Sequence, residues 1–506
     1  MNKRRPIHRL PTEILGNIFQ HTLPSNGVDL SDSYEEGPRM YSERRMRILI
    51  TQVCGQWRTI AFGMAAFWNV IDMTTSQWSL ACYERSKCAP LNVFAQYPLY
   101  NTVGTPLWTN GARIRELFIE IPFGHRSVVP TELPAILPPV PNLECLTLYT
   151  RSEHCSVDRP GIDSTPRPRV FPYPPLRLTK LILYNPCWIP GGIPLGQLTH
   201  LWISEGTEFQ MQSLLIFLDQ CTSLEKLILA DVRIANIFAV PDNFSADLPR
   251  LQLLTLGVTH ARYSFRCFLK RVILPPTVVV RMFDVDGGAF IDAAPHPSLP
   301  FTAEFDTIVI EQSHGGVTIQ AGVWASTQSS TRAPGLFLQY QGQRYMSQHA
   351  LTQHLLAPLV PLNQIQHVTI AGVCCDLAAD LLQSMPRVAV LRIVEPKHES
   401  LRTALHHAMV RFPESTAVEI WTRRRRASVQ LPLTKAKRTY YQIAAPEEEE
   451  GRGDSGILEP EDDNPVPRDQ QECGRDGDGW EVVEVLKEPV VDLPGLRPAR
   501  HPYDWW

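Results

Sequence analysis

Two stretches of sequence, LEKLIL at residues 224–229 and LQLLTL at residues 251–256, share one arrangement of apolar residues. In both, an apolar residue is followed by two free positions and then by two apolar residues that flank a single free position. Such alternation at the end of the hexamer is typical of a strand that buries one face. Each stretch therefore predicts one short strand with a buried side.

The same hexamer recurs along most of the chain. Strong copies also begin at Ile114, Leu143, Leu178 and Leu198, and weaker copies begin at Phe305, Ile365 and Val388. The spacing of the strong copies brackets the length of leucine-rich repeats, about 20–29 residues, apart from one long insertion at residues 151–177. A single unit cannot bury its apolar face alone, so such units are expected to stack. The strands of an unrelated α/β domain remain the alternative, because most copies lack the asparagine that often follows the third apolar position.

The N-terminal region follows a helical pattern instead. Residues 7–23 carry apolar side chains at the spacing of one helical face, and residues 46–60 do the same. Pro11 lies where a helix tolerates proline, in its first turn. The sequence predicts two helices joined by a polar loop at residues 24–40, followed by a short apolar strand or turn at residues 67–71.

These two helices resemble a known module. The stretch IHRLPTEILGNIF at residues 7–19 is similar to the opening of an F-box, and VCGQWRTIA at residues 53–61 is similar to its second signature. Phe67-Trp68 corresponds to the closing apolar-Trp pair, although Ala65-Ala66 stand where a proline is usual, and the loop is longer than in a minimal F-box. The segment from Trp78 to Leu91 resembles the joining region of fungal F-box proteins with leucine-rich repeats.

The resemblance implies a partner and a set of contact residues. F-box modules dock on the Skp adaptor of a cullin-type ubiquitin ligase. The contact residues carried over by motif position are Leu10, Pro11, Ile14, Leu15, Ile18, Phe19, Val53, Cys54 and Trp57. Two short amphipathic helices would also leave an apolar patch exposed, and such patches are usually interaction sites.

Charge is unevenly distributed, although the net charge is only −4. Residues 446–506 contain 18 Asp and Glu against 6 Lys and Arg, a composition that predicts a disordered acidic tail. The 11 cysteines show no Cys-x-x-Cys spacing, so reduced thiols are expected. The sequence has no stretch of about 18 apolar residues and no apolar signal-peptide core, so we expect no membrane partner and a cytoplasmic or nuclear location.

No catalytic or metal-binding pattern stands out. The phosphate-loop, Gly-x-Ser-x-Gly and His-Glu-x-x-His motifs are absent, so no catalytic residue, cofactor or metal is expected. His406-His407 and Cys374-Cys375 are expected to be a solvated pair and a buried pair. The basic run Arg423–Arg426 is compatible with a nuclear localisation signal, a solvated charge run or a contact for the acidic tail. No direct nucleic-acid partner is expected.

Together these patterns predict an α/β (α+β) protein with four parts. Residues 1–72 are expected to form a helical F-box module, residues 73–111 a linker, residues 112–445 an irregular leucine-rich-repeat-like solenoid, and residues 446–506 a disordered tail. The expected function is that of a non-catalytic substrate receptor, which binds Skp, and cullin through it, at one end and an unknown protein substrate at the other. A scaffold that uses Skp without cullin, and an enzyme with a helical appendage, are the alternatives.

Overall fold

The structure is a computed structural model and describes the residues that follow: 6–23, 40–74, 76–96, 104–121, 139–150, 171, 173–186, 191–204, 208–230, 232–235, 241, 244–257, 264–283, 302, 305–313, 316–323, 335–340, 360–371, 381–382, 384–394, 417–422 and 438–442. The expected tail at 446–506, the basic run at 423–426 and both vicinal pairs lie outside these residues. So do nearly all of the expected loop at 24–40 and most of the insertion at 151–177.

Helices are few and most lie near the N-terminus. The described α-helices are α1 Thr12–Thr22, α2 Met40–Val53, α3 Gly55–Gly63, α4 Ser76–Arg85, α5 Gly104–Thr109, α6 Met211–Asp219 and α7 Ser264–Arg271. Short 3-10 turns at Pro6–Arg9 and Ala65–Trp68 flank the first three helices.

Strands dominate the rest of the described chain. They are β1 Val70–Asp72, β2 Leu91–Gln96, β3 Ile114–Ile121, β4 Cys145–Thr150, β5 Lys180–Tyr184, β6 His200–Ser204, β7 Glu208–Gln210, β8 Lys226–Ala230, β9 Arg233–Ala235, β10 Ala246–Asp247, β11 Leu253–Gly257, β12 Val272–Ile273, β13 Val279–Phe283, β14 Thr307–Ser313, β15 Gly316–Gly322, β16 Gly335–Tyr340, β17 His367–Ala371, β18 Val390–Val394, β19 Ala417–Thr422 and β20 Arg438–Gln442.

Sixteen of these strands form one sheet, in the order β1-β2-β3-β4-β5-β6-β8-β11-β13-β16-β15-β14-β17-β18-β19-β20. Neighbours pair in parallel except around β15, which runs antiparallel to both β14 and β16. The remaining described strands form two small parallel pairs, β7 with β9 and β10 with β12. The sheet is therefore mostly parallel, with one inverted segment in its middle.

The last two apolar residues of each strong hexamer lie on a strand of this sheet, and the central leucine of each hexamer lies opposite that of the next. The register joins Leu117, Leu146, Leu181, Leu201, Leu227 and Leu254 across successive strands. All of these leucines are buried. Side chains alternate between the two faces of a strand, so this shared register places every central leucine on the same face. That face is the main hydrophobic core.

The expected fold, an N-terminal helical F-box followed by a leucine-rich-repeat-like solenoid, is wrong. The described residues form a mixed α/β structure with one large, mostly parallel sheet and few helices. Residues of the N-terminal helices, such as Leu15, belong to the same hydrophobic cluster as Ile393 near the far end of the sheet. The inverted order β16-β15-β14 also departs from a simple stack of parallel units. The hexamer specifies a buried strand but not the order or direction in which strands connect. The pattern alone therefore led to the wrong prediction of a solenoid.

Candidate functional site

The first helix starts later than the periodicity suggested. Residues 6–9 form a 3-10 turn, and α1 begins at Thr12, with Pro11 in extended conformation at its N-cap. A proline disfavours the α conformation in the residue before it, so Leu10 cannot continue a helix into α1. Glu13 lies in the first turn, where a negative charge stabilises the positive N-terminal end of the helix dipole. Pro11 thus sets the point at which α1 begins, ahead of the α1 residues that the F-box resemblance names.

The second expected helix is divided in two at Cys54. This residue has extended backbone angles, and its Sγ accepts a hydrogen bond from the backbone N–H of Trp57 at 3.5 Å, so it caps α3. The Nε of Arg58 donates to the carbonyl oxygen of Thr51 at 2.9 Å and so links α3 back to α2. Gly63 is the last residue of α3. The Val-Cys-x-x-Trp-Arg stretch therefore builds a helix corner rather than a continuous helix.

Aromatic contacts hold the helices together. Leu15 and Phe19 are fully buried, and the Phe19 ring lies 4.8 Å from the Trp57 ring, centroid to centroid. Phe19 also lies 6.4 Å from Phe67. Among the described residues, the indole N–H of Trp57 is buried without a hydrogen-bond acceptor. Of the expected contact residues, Leu15, Phe19 and much of Trp57 thus serve the internal core.

Other expected contact residues face outward. Ile14 is 45% exposed and Val53 is 50% exposed, which is high for β-branched apolar side chains. Pro11 is exposed, while Leu10, Ile18 and Cys54 are half-buried. The structure thus divides the nine residues between a core and a surface, and it leaves the surface ones available to a partner.

Two further apolar residues on α2 are exposed. Met46 is 37% exposed and Leu49 is 47% exposed. With Val53 they are spaced three and four residues apart, which places them on one face of the helix. The resemblance did not name Met46 or Leu49 as contact residues, although this spacing was visible in the sequence. Between them Arg47 and Ile50 are buried, so α2 has distinct inner and outer faces.

A groove runs between α1 and α3. It encloses about 690 Å³ and is lined by Thr12, Glu13, Gly16, Asn17, Gln56, Thr59, Ile60, Gly63 and Met64. At Gly16 a Cβ atom would lie 3.2 Å from the sulfur of Met64, so the absence of a side chain there keeps the groove open. The exposed Ile14 is on α1, the helix that forms one wall of this groove. The N-terminal helices therefore offer both a concave surface and projecting apolar side chains.

Arginine side chains attach α4 to this helical region. The guanidinium carbon of Arg85 lies 4.4 Å from the ring centroid of Phe62 and 4.6 Å from that of Trp68. Arg44 lies over the Trp78 ring at 5.4 Å. Such cation–π contacts contribute about 0.5–1 kcal/mol each at exposed sites. They hold the N-terminal helices against the residues that lead into the sheet.

Three of the described thiols, those of Cys82, Cys145 and Cys221, are held protonated at neutral pH by burial. Burial raises the pKa of Cys82 to about 11, and the pKa values of Cys145 and Cys221 to about 12. A thiol acts as nucleophile or metal ligand in its thiolate form, so these groups are poor candidates for either role. Within the ranges that the structure describes, no three His, Cys, Asp or Glu side chains cluster as metal ligands.

Comparison with known proteins adds no relative. No family model matches the chain. No curated protein is significantly similar to it. In the described part of the chain, no helix is long and apolar enough to cross a membrane. The geometry of the N-terminal helices therefore carries the functional argument.

Proposed function

We propose that this chain is a substrate-receptor subunit of a Skp–cullin–F-box ubiquitin ligase, with α1 to α3 as the Skp-docking module. The observation that carries the proposal is the exposure of Ile14 and Val53, two positions at which the F-box resemblance expects contact with Skp. Solvent-exposed apolar side chains that project from a packed core are a feature of protein interaction surfaces. The chain itself is proposed to be non-catalytic.

The groove and the outer face of α2 support the same proposal. Helix-in-groove recognition uses apolar residues at spacings of three and four along a helix, as in Met46, Leu49 and Val53. The buried partners Leu15 and Phe19 hold α1 in place, so the docking surface is formed before a partner arrives. A preformed surface loses less side-chain and backbone entropy on binding.

The second part of the proposal concerns the rest of the chain. The strand-rich body that follows the helices is proposed to bind a protein substrate, while other subunits of the ligase transfer ubiquitin. In the described residues the helices share one hydrophobic core with the sheet. A rigid connection of this kind would hold a bound substrate at a fixed orientation to the adaptor.

Capture of Skp from cells by the full chain tests the proposal. Replacing Ile14 and Val53 together with Lys should reduce captured Skp by roughly 30-fold or more, because a buried apolar anchor of an interface is worth about 2 kcal/mol or more. Both side chains are exposed in the free chain, so its fold should be unchanged. The matched control replaces Ile273 and Leu176, which are 56% and 66% exposed, with Lys.

The control should capture as much Skp as the unaltered chain. Equal capture by the Ile14/Val53 variant would contradict the docking assignment. Cullin in the same captured material distinguishes a ligase receptor from the alternative scaffold. Capture of Skp without cullin would support the docking module but contradict the ligase role.

A further inference from the structure

The sheet has a second face, on the side away from the leucine core. Side chains alternate along each strand, so the residues next to a core leucine lie on this second face. Between β5 and β8 it carries an apolar cluster that is separate from the main core and consists of Ile182, Tyr184, Trp202, Ile228 and Ala230. The second face is therefore packed and largely apolar in this part of the sheet.

A notch crosses the second face where these strands end. One register row runs across five neighbouring strands, and in order it contains Tyr184, Ser204, Ala230, Gly257 and Phe283. The three middle residues have small side chains or none, whereas the first and last are large aromatics. Strands lie about 4.8 Å apart, so the two aromatic positions are about 19 Å apart across the sheet. We call Ser204, Ala230 and Gly257 the floor of the notch.

The hydroxyl of Ser204 provides a second, independent observation at this notch. Ser204 is 1% exposed, and its Oγ is buried without a hydrogen-bond partner among the described residues. A buried hydroxyl without a partner costs free energy, which is why most buried polar groups in native proteins are paired. Ser204 comes two residues after Trp202 on β6, so both side chains lie on the second face. A ligand in the notch would supply the missing partner.

Aromatic and backbone groups fix one wall of the notch. Tyr184 and Trp202 are both buried, and their rings lie 5.4 Å apart, centroid to centroid. Directly after Tyr184, Asn185 has a φ of 46°, and its backbone N–H donates to the carbonyl oxygen of Ser204 at 2.8 Å. Left-handed residues other than glycine are uncommon, and such conformations cluster at functional sites. This wall is thus held in place before any ligand binds.

The notch lies where parallel sheets bind ligands. In open α/β sheets, ligands bind outside the carboxyl ends of the strands. The row that forms the notch consists of the last residues of β5, β6, β8, β11 and β13. Gly257 on the floor is half-buried, and so is Tyr149, which pairs with Tyr184 in the same row. A ligand would therefore enter from this edge of the sheet.

We propose that the notch binds a small, flat aromatic molecule that carries one N–H or O–H group at its edge. The aromatic side chains Tyr184 and Phe283 suit a flat apolar body, because aromatic rings pack favourably in offset or edge-to-face arrangements. The edge group donates a hydrogen bond to the Oγ of Ser204. A mostly apolar site with a few placed polar groups is typical of small-molecule binding. This inference does not depend on the proposed Skp contact.

Isothermal titration calorimetry of the full chain with indole tests this proposal, and 1-methylindole is the matched probe without an N–H. Indole should bind saturably at one site per chain and roughly fivefold more tightly than 1-methylindole, the effect of one hydrogen bond. The Ser204→Ala variant should remove this preference and leave the affinity for 1-methylindole unchanged. It should not lower the melting temperature of the free chain, because the lost hydroxyl has no partner among the described residues.

Filling the floor of the notch provides the second test. Ala230→Leu places a larger side chain there and should abolish binding of both probes. Thr369→Leu, a buried position of the same face on β17, is the matched control and should leave binding unchanged. Circular dichroism checks that each variant is folded, and Ser204→Ala decides the matter where Ala230→Leu does not fold.

Three results would overturn the proposal. They are the absence of saturable indole binding, equal affinity for the two probes, and a preference for indole that persists in Ser204→Ala. Binding that survives in a folded Ala230→Leu variant would place the site elsewhere and would overturn it as well.

Discussion

The indole N–H of Trp68 donates a hydrogen bond to the carbonyl oxygen of Ala61 at 2.7 Å. Trp68 is almost fully buried and also packs against Phe67 and Trp78, at centroid distances of 5.4 and 5.8 Å. Ala61 lies near the end of α3, and Trp68 lies just before β1. This one contact therefore joins the candidate docking helices to the first strand of the sheet.

Replacing Trp68 with Phe should destabilise the protein by about 2–3 kcal/mol, because a buried hydrogen bond is lost and a cavity remains. Trp57→Phe provides the matched control: it removes an indole N–H that has no acceptor among the described residues, so it should cost about 1 kcal/mol. Chemical denaturation followed by circular dichroism measures both. Equal losses in the two variants would show that the Trp68 hydrogen bond contributes nothing.

Leu201→Ala should reduce the free energy of unfolding by about 2–5 kcal/mol, the usual range for a buried leucine. Leu201 is fully buried, between the central leucines of the two adjacent strands. Leu176→Ala is the control, since Leu176 is 66% exposed and its loss should change stability by about 0.5 kcal/mol or less. Thermal unfolding distinguishes them. A harmless Leu201→Ala would mean that the shared leucine face is not a packed core.

The two glycines Gly111 and Gly16 should respond differently to alanine. A Cβ at Gly111 would overlap the backbone carbonyl oxygen of Pro139, which cannot move aside without shifting the chain. Gly111→Ala should therefore cost about 1–3 kcal/mol. Gly16→Ala meets only the flexible end of Met64, and alanine favours the helix, so its stability should change by about 1 kcal/mol or less. Comparable losses in thermal unfolding would contradict this difference.

Cysteine reactivity should follow burial. Alkylation at about pH 8 should modify the exposed Cys88 before Cys82, Cys145 and Cys221, because burial raises the pKa of these three thiols and keeps them protonated. The fraction of each cysteine modified with time can be followed by mass spectrometry. In denaturant the four cysteines should react at similar rates, which is the control. A native Cys82 that reacts as fast as Cys88 would argue against its burial.

The sequence predicted local structure better than the way in which the parts are joined. The spacing of Leu181, Leu201 and Leu227 marked three strands and their buried face correctly, because alternation along a strand is a local property. The inverted strands β14 to β16 were not foreseen, since direction and order depend on long-range pairing. The division of the N-terminal helices at Cys54 was also missed, because a capped corner preserves the apolar spacing of one continuous helix.

The candidate site shows the same limit. Periodicity placed Ile14 and Phe19 together on an apolar face of α1, yet Ile14 is exposed and Phe19 is buried. Which part of that face is covered depends on Trp57 and Phe67, which come from distant positions in the sequence. The F-box resemblance named the residues but did not divide them into core and surface. Only the packing of the helices makes that division.

Hydrogen exchange of the full chain with and without purified Skp adaptor tests the assignment of α1 to α3 as the docking module. We expect slower exchange on adding Skp within residues 7–23 and 44–64, with little change in the sheet at residues 180–230. The Ile14/Val53 double lysine variant should show no slowing in either region. Unchanged exchange in α1 to α3 at saturating Skp, or protection confined to the sheet, would contradict the claim that these helices form the docking module.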